Sequence, residues 1–328
     1  MEKEQEFIFQ IELAKSKIEQ IKQEIAKVIV GQIELVDSLL IALFSGGHLL
    51  LEGAPGVAKT LTVNTFARAI SCDFKRVQFT PDLLPADLTG TSIYDIHTGK
   101  FSIKKGPIFT QLLLADEINR APAKVQSALL EVMQEKQVTI SGKTIALSAP
   151  FMVLATQNPL EQEGTYPLSE AQIDRYMMKV KVEYPGREEE KLILARMGKQ
   201  QIDVNVQKII SIEEIFEIKK LVDAIYIDEK IVNYILDIIF STREPKNYQV
   251  AMEGLLEYGA SPRASLALQL ASKARACLYG RAFVIPLDVK EVCYSVLRHR
   301  LKLSYEAEAE GLKADDLIFR ILEQLPIP

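Results

Sequence analysis

The sequence predicts an α/β protein: a doubly wound parallel sheet of five strands in an αβα sandwich, with two inserted β-hairpins, followed by an all-α domain. Three observations carry this. From His48 to Val182, short apolar runs alternate with helical stretches, the pattern of a parallel sheet with crossover helices. Two pairs of strand-like runs around short glycine-containing turns interrupt that alternation. After Tyr184-Pro185-Gly186-Arg187 the strands stop and the remaining apolar periodicity is helical.

The elements follow in order. Phe7, Ile11, Leu13, Ile18, Ile21, Ile25 and Val28 recur at spacings near three and four between charged residues, so residues 1 to about 27 form an amphipathic helix. The five strands are His48–Glu52, Lys75–Phe79, Gln111–Ala115, Met152–Thr156 and Met177–Val182. The first hairpin pairs Thr91–Ile96 with Lys100–Ile103 across His97-Thr98-Gly99. The second pairs Gln137–Ile140 with Thr144–Leu147 across Ser141-Gly142-Lys143. The linker at Tyr184–Arg187 divides the chain into residues 1–187, with the sheet and the N-terminal helix, and a helical domain of residues 188–328.

With 328 residues, 48% of them hydrophobic, each part can bury a core. A net charge of −5 argues against broad nonspecific nucleic-acid binding. No apolar run reaches the roughly 18 to 20 residues of a membrane span, and the acidic start MEKEQEFIFQ does not resemble a secretory signal, so a cytoplasmic location is expected. Cys72, Cys277 and Cys293 have no CxxC spacing and His48, His97 and His299 are scattered, which argues against a disulfide framework or a zinc site and for buried thiols.

Chemistry concentrates at the end of the first strand. Gly53-Ala54-Pro55-Gly56-Val57-Ala58-Lys59-Thr60-Leu61 follows an apolar strand and opens a helix, close to the phosphate-loop pattern GxxxxGK[ST]. Gly53 and Gly56 let backbone N–H groups turn inward toward phosphate oxygens. Lys59 is placed to pair with the β- and γ-phosphates, and the Thr60 hydroxyl to ligate Mg2+. Ala58 stands where the pattern has a second glycine, which a methyl group tolerates if the residue already has helical φ/ψ. Asp116-Glu117 ends a second apolar strand 57 residues after Lys59. Asp116 is placed for the magnesium shell and Glu117 for the water that attacks the γ-phosphate.

With both motifs in view, the chain resembles the AAA+ ATPases and specifically the MoxR family. That family's loop variant includes the alanine at position 58. The likeness continues through Ala115-Asp116-Glu117-Ile118-Asn119-Arg120-Ala121-Pro122, Ala155-Thr156-Gln157-Asn158-Pro159, Glu170-Ala171-Gln172-Ile173-Asp174-Arg175-Tyr176 and Gly259-Ala260-Ser261-Pro262-Arg263-Ala264, about residues 29 to 270 in the family's order. The resemblance implies ATP and Mg2+ as ligands, a Walker A loop at 53–61 and a Walker B pair at Asp116 and Glu117. It also implies Asn158 as sensor 1, Arg175 as an arginine finger acting on a neighbouring subunit, Arg263 as sensor 2, and Val30-Gly31-Gln32 against the adenine. Read singly, Arg175 can equally pair with Asp174 or Glu170 on a solvated face, and Arg263 can be a first-turn helix residue.

The family implies a homo-oligomeric, hexameric ring that remodels or activates a protein client, often with a von Willebrand factor A domain protein. The hairpins match insertions shared with chelatase ATPase subunits and MCM helicases. Lys100, Phe101, Lys104 and Lys105 on the first hairpin and its exit can meet an acidic partner or a phosphate backbone or, more simply, prevent edge pairing. A nucleic-acid motor, a nucleotide-gated binding module without turnover and a chelatase-type subunit are the rival readings.

Overall fold

The protein is described here by a computed structural model that covers all residues except Met1, Pro55, Thr98, 159–163 and 198–205. Pro55 and Pro159, both within the motifs above, therefore lie outside the described residues. The central sheet contains β1 (Leu49–Glu52), β2 (Phe74–Gln78), β3 (Leu112–Asp116), β4 (Met152–Gln157) and β5 (Met178–Lys181), in the order β2-β3-β4-β1-β5. All four pairings are parallel. The strands agree with the predicted runs to within a residue at either end. At β5, His48 and Glu52 carbonyls accept the N–H groups of Met177 and Val182, one residue beyond each end of the strand.

Side-chain alternation along these strands builds two cores. Leu49, Leu51, Leu112, Leu114, Met152 and Leu154 point to one face, while Leu50, Leu113, Ala115, Val153 and Ala155 point to the other. The first face is covered by α1 (Glu2–Ala26), α2 (Ile33–Ser45) and α3 (Lys59–Ala69), the second by α4 (Ala123–Glu135). On α1, Ile11, Ala14, Ile18, Ile21 and Ile25 form the buried stripe. Leu13, expected among the apolar positions, is 49% exposed because the stripe passes through Ala14 instead.

The hairpins leave the second face. Gly90–Asp95 pairs with Lys100–Lys105, and Tyr94 packs on Phe101 across the strands with ring centroids 5.1 Å apart. Gln137–Ile140 pairs with Lys143–Ala146. Its turn is the two residues Ser141-Gly142, both at positive φ, so Lys143 already belongs to the returning strand.

The second half comprises α5 (Arg187–Met197), α6 (Ile212–Ala224), α7 (Glu229–Ser241), α8 (Pro262–Leu278), α9 (Pro286–Leu297) and α10 (Ala314–Gln324). A short antiparallel pair, Leu256–Tyr258 with Lys302–Leu303, adds to the predicted helices. These helices share the first core: α8 packs on α1 and α2, α6 on α2, and α9 on β5. Cys72, Cys277 and Cys293 are buried free thiols, as expected. Burial pushes the Cys72 and Cys277 thiols up to about 12, where they are inert as nucleophiles.

Candidate nucleotide-binding site

In an open parallel sheet, ligands bind beyond the carboxyl ends of the strands where the strand order reverses. Here that point lies between β1 and β4. The register sets Gln78 beside Asp116, Ala115 beside Ala155 and Leu51 beside Thr156, so the ends of β2, β3, β4 and β1 arrive level. A cavity of about 400 Å³ opens there, lined by Gly56, Ala58, Lys59, Thr60, Leu61, Arg76, Asp116, Glu117, Thr156 and Asn158.

The loop's shape follows from its residues. A Cβ on Gly53 would lie 2.4 Å from the Val182 carbonyl oxygen, so only glycine lets the loop leave β1 this closely against the end of β5. Gly56 turns at φ +86°, and Val57 is buried as the loop's apolar anchor. Ala58 corrects an expectation: it is not in right-handed helical geometry but at φ 58°, ψ 21°, the left-handed residue that caps α3. An L-residue there costs roughly 1–2 kcal/mol relative to the right-handed form, a strain the loop retains.

Lys59 opens α3 and donates to the Gly53 carbonyl at 2.6 Å. Burial lowers its pKa, while Asp116, Glu117 and Glu52 oppose that shift. The acid pair is tightly held. Asp116 Oδ1 accepts the Thr156 hydroxyl at 2.6 Å, and Asp116 Oδ2 accepts Arg76 Nε at 2.9 Å and a second Arg76 N–H at 2.7 Å. Glu117 adopts φ 57°, ψ 52°, its N–H donates to Thr156 Oγ1 at 2.8 Å, and its Oε2 accepts Gln78 Nε2 at 2.6 Å. Asn158, 7% exposed, closes the cavity from β4. The Thr60 hydroxyl and Asp116 carboxylate supply hard oxygen donors to the same cavity, a set that suits Mg2+.

Residues 48–178 match the family model described as the ATPase family associated with various cellular activities (AAA), and residues 251–321 match an AAA lid domain. Chaperone MoxR1 of Mycobacterium tuberculosis is 47% identical over 308 residues, 93% of this chain and 81% of that protein. The chain belongs to the MoxR family of AAA+ ATPases. Protein MoxR of Methylorubrum extorquens is 30% identical, with 94% of each chain covered. A crystal structure from Cytophaga hutchinsonii, described as that of a candidate ATPase, matches this MoxR-family chain with a TM-score of 0.93 and 48% identity, over 100% of this chain and 98% of the other.

The MoxR-family cavity gathers Gly56, Ala58, Lys59, Thr60, Leu61, Asp116, Glu117 and Asn158, all singled out in the sequence. Gln32 lines a separate cavity of about 370 Å³ with Lys181, Glu183, Arg298 and Asp315, and donates to the Glu183 carbonyl at 3.2 Å. Neither Arg175 nor Arg263 lines either cavity. Asp174 does not pair with Arg175 but with Arg300 and, at 3.7 Å, Arg263. The Arg175 Nε is buried without a hydrogen-bond partner, which disfavours a solvated ion pair. Sequence reasoning missed Arg76, Gln78 and Thr156. The first two alternate on an edge strand, where polar residues read as a solvent face.

Proposed function

We propose that this chain binds ATP with Mg2+ in the β1–β4 cavity, hydrolyses it to ADP and phosphate, and uses the cycle to remodel a protein client. The observation that carries the reading is the convergence of Lys59, Thr60, Asp116, Glu117 and Asn158 on one cavity from three strand ends. Backbone N–H groups of residues 56–60 and the N-terminus of α3 would bind phosphate oxygens, with Lys59 pairing to the β- and γ-phosphates. Thr60 and Asp116 would hold the metal, which when bound neutralises charge developing on the phosphates. Glu117 and Asn158 would orient the attacking water. Val30, Gly31 and Gln32 would lie toward the adenine.

Since Arg175 does not line its own chain's cavity, we assign it to a neighbouring subunit's site in a hexameric homo-oligomeric ring, with Arg263 as sensor 2 for the triphosphate of its own or the neighbouring subunit. Residues 1–187 would then be the nucleotide unit and 188–328 the lid. That the Mycobacterium tuberculosis relative is a chaperone supports remodelling of a protein client; a cytoplasmic location and a von Willebrand factor A domain protein as partner belong to the same proposal. Among the described residues no helix is long and apolar enough to cross a membrane.

Calorimetry with ATP tests the site. Lys59→Ala should lose most nucleotide affinity, because a point charge leaves a loop of backbone dipoles, while Glu117→Gln should bind ATP and stop turnover. Parent-like binding by Lys59→Ala would overturn the loop assignment, and parent-rate hydrolysis by Glu117→Gln would move the catalytic carboxylate elsewhere.

A further inference from the structure

The acid pair of the nucleotide cavity is held by two side chains of one edge strand. Arg76 and Gln78 stand two residues apart on β2 and so project to the same face. Arg76 places two N–H groups on Asp116 Oδ2, at 2.9 and 2.7 Å, and gives a third hydrogen bond to Gln78 Oε1 at 2.9 Å. Gln78 turns its amide nitrogen to Glu117 Oε2 at 2.6 Å. With Thr156 on Asp116 Oδ1, each Asp116 oxygen already has a donor. Arg76 thus bears directly on Asp116 and, through the Gln78 amide, on Glu117, whose Oε2 also pairs with Arg120 at 3.1 Å, so Asp116 is the carboxylate whose charge depends on Arg76.

The two ends of this ion pair differ in freedom. The Asp116 side chain is 13% exposed and anchored, whereas the Arg76 side chain is 48% exposed on an outer strand. When a competitor arrives, the arginine can swing into solvent and the carboxylate stays. The competitor with the matching charge and preference for carboxylate oxygen is a divalent cation.

Resting on the nucleotide reading above, we infer that Arg76 is a positioning residue: a tethered counter-cation that competes with magnesium for Asp116 and neutralises that carboxylate when nucleotide arrives without metal. Two consequences follow from charge alone. With Arg76 in place, Asp116 has its own guanidinium while Arg120 pairs with Glu117 at 3.1 Å, so with Lys59 the triphosphate meets little repulsion even without metal. With Arg76 removed, metal-free ATP faces an uncompensated carboxylate, while magnesium no longer has a guanidinium to displace. Both effects widen the gap between metal-loaded and metal-free binding.

The test is calorimetric titration of ATP into the parent, Arg76→Ala and Arg76→Lys proteins, each with magnesium and with EDTA. The readout is the ratio of the metal-free Kd to the metal-loaded Kd. We expect Arg76→Ala to raise that ratio on the order of tenfold or more, as loss of a unit charge a few ångströms away requires. Arg76→Lys, which keeps the charge but not the paired N–H geometry, should fall between. A generally damaged pocket would weaken both affinities together and leave the ratio unchanged, and an unchanged ratio in Arg76→Ala overturns the inference. If the parent bound no ATP in either buffer, the nucleotide reading itself would fall and this one with it.

Discussion

Arg300 donates from Nε to Asp174 Oδ1 at 2.8 Å, and the same guanidinium caps the backbone carbonyls of Asp174, Tyr176 and Met177. The residue enclosed by these contacts is Arg175. A side chain from the second half of the chain therefore sets the backbone of the segment that carries the proposed finger. Ser261, two residues before Arg263, adds its hydroxyl to Asp174 at 2.9 Å. Arg175 and Arg263 are fixed to the same carboxylate-centred joint, so a shift of the helical half would move both together.

Arg300→Ala should be strongly destabilising. The Arg300 side chain is 2% exposed, and removing it takes the main donor from the Asp174 carboxylate, which is 19% exposed and keeps Ser261 and a longer contact to Arg263, and from the Asp174 and Met177 carbonyls. Breaking one partner of a buried, hydrogen-bonded pair costs about 3–5 kcal/mol. Urea unfolding should show this loss, and a cost under about 1 kcal/mol would mean that the joint contributes little.

Arg175→Ala should leave its own chain's cavity intact and disable its neighbour's. An arginine finger contributes roughly 10³ to 10⁵ in rate, so the variant should bind ATP and be nearly inactive. Mixing it with Lys59→Ala protein under conditions of subunit exchange should restore part of the activity, because some interfaces then combine an intact loop with an intact arginine. No recovery on mixing would count against action across subunits.

Ala58→Gly probes the strain of the phosphate loop. At φ 58° the substitution removes a Cβ penalty of about 1–2 kcal/mol but adds freedom to the unfolded chain worth about 0.4–1 kcal/mol. Thermal unfolding should therefore show a variant no less stable than the parent and up to about 1.6 kcal/mol more stable. An Ala-to-Gly change in the middle of a helix would instead lose about 1 kcal/mol, and that result here would place Ala58 in ordinary helical geometry.

His48 gives the fold an acid sensitivity. Its Nδ1 accepts the Val153 N–H at 3.0 Å and its Nε2 faces the Met133 carbonyl at 3.2 Å, and burial lowers its pKa from 6.5 to about 4. Above pH 6.5 the ring is neutral in both folded and unfolded chains and the stability is fully present. As pH falls toward 4, only the unfolded chain takes up the proton, so stability declines, by roughly 2 kcal/mol at pH 5. His299, also held neutral by burial, acts in the same direction. Urea midpoints measured from pH 7.5 to 4.5 should fall less steeply for His48→Gln, which keeps a donor and an acceptor but does not titrate; an identical pH profile would remove His48 as a cause.

The strands, the hairpins, the phosphate loop and the acid pair were legible in the sequence because each is written in contiguous residues. Period-two apolar runs say which side chains a strand buries, and a loop between a strand and a helix carries its own chemistry in order. Lys59, Thr60, Asp116, Glu117 and Asn158 could be picked out for that reason. Arg76, Gln78 and Thr156 could not, since what brings them to the cavity is the register of β2 on β3 and β3 on β4, a pairing between segments about forty residues apart. The geometry of Ala58 was likewise hidden, because its φ is set by the cap of α3 and the close pass of Gly53 over Val182 rather than by its own identity. The place of the helical half, and the grip of Arg300 on the segment before Arg175, were decided only by tertiary packing: α8 and α9 bury their apolar faces on α1, α2 and β5, and a lone arginine in a sequence does not announce which distant carbonyls it will satisfy once buried.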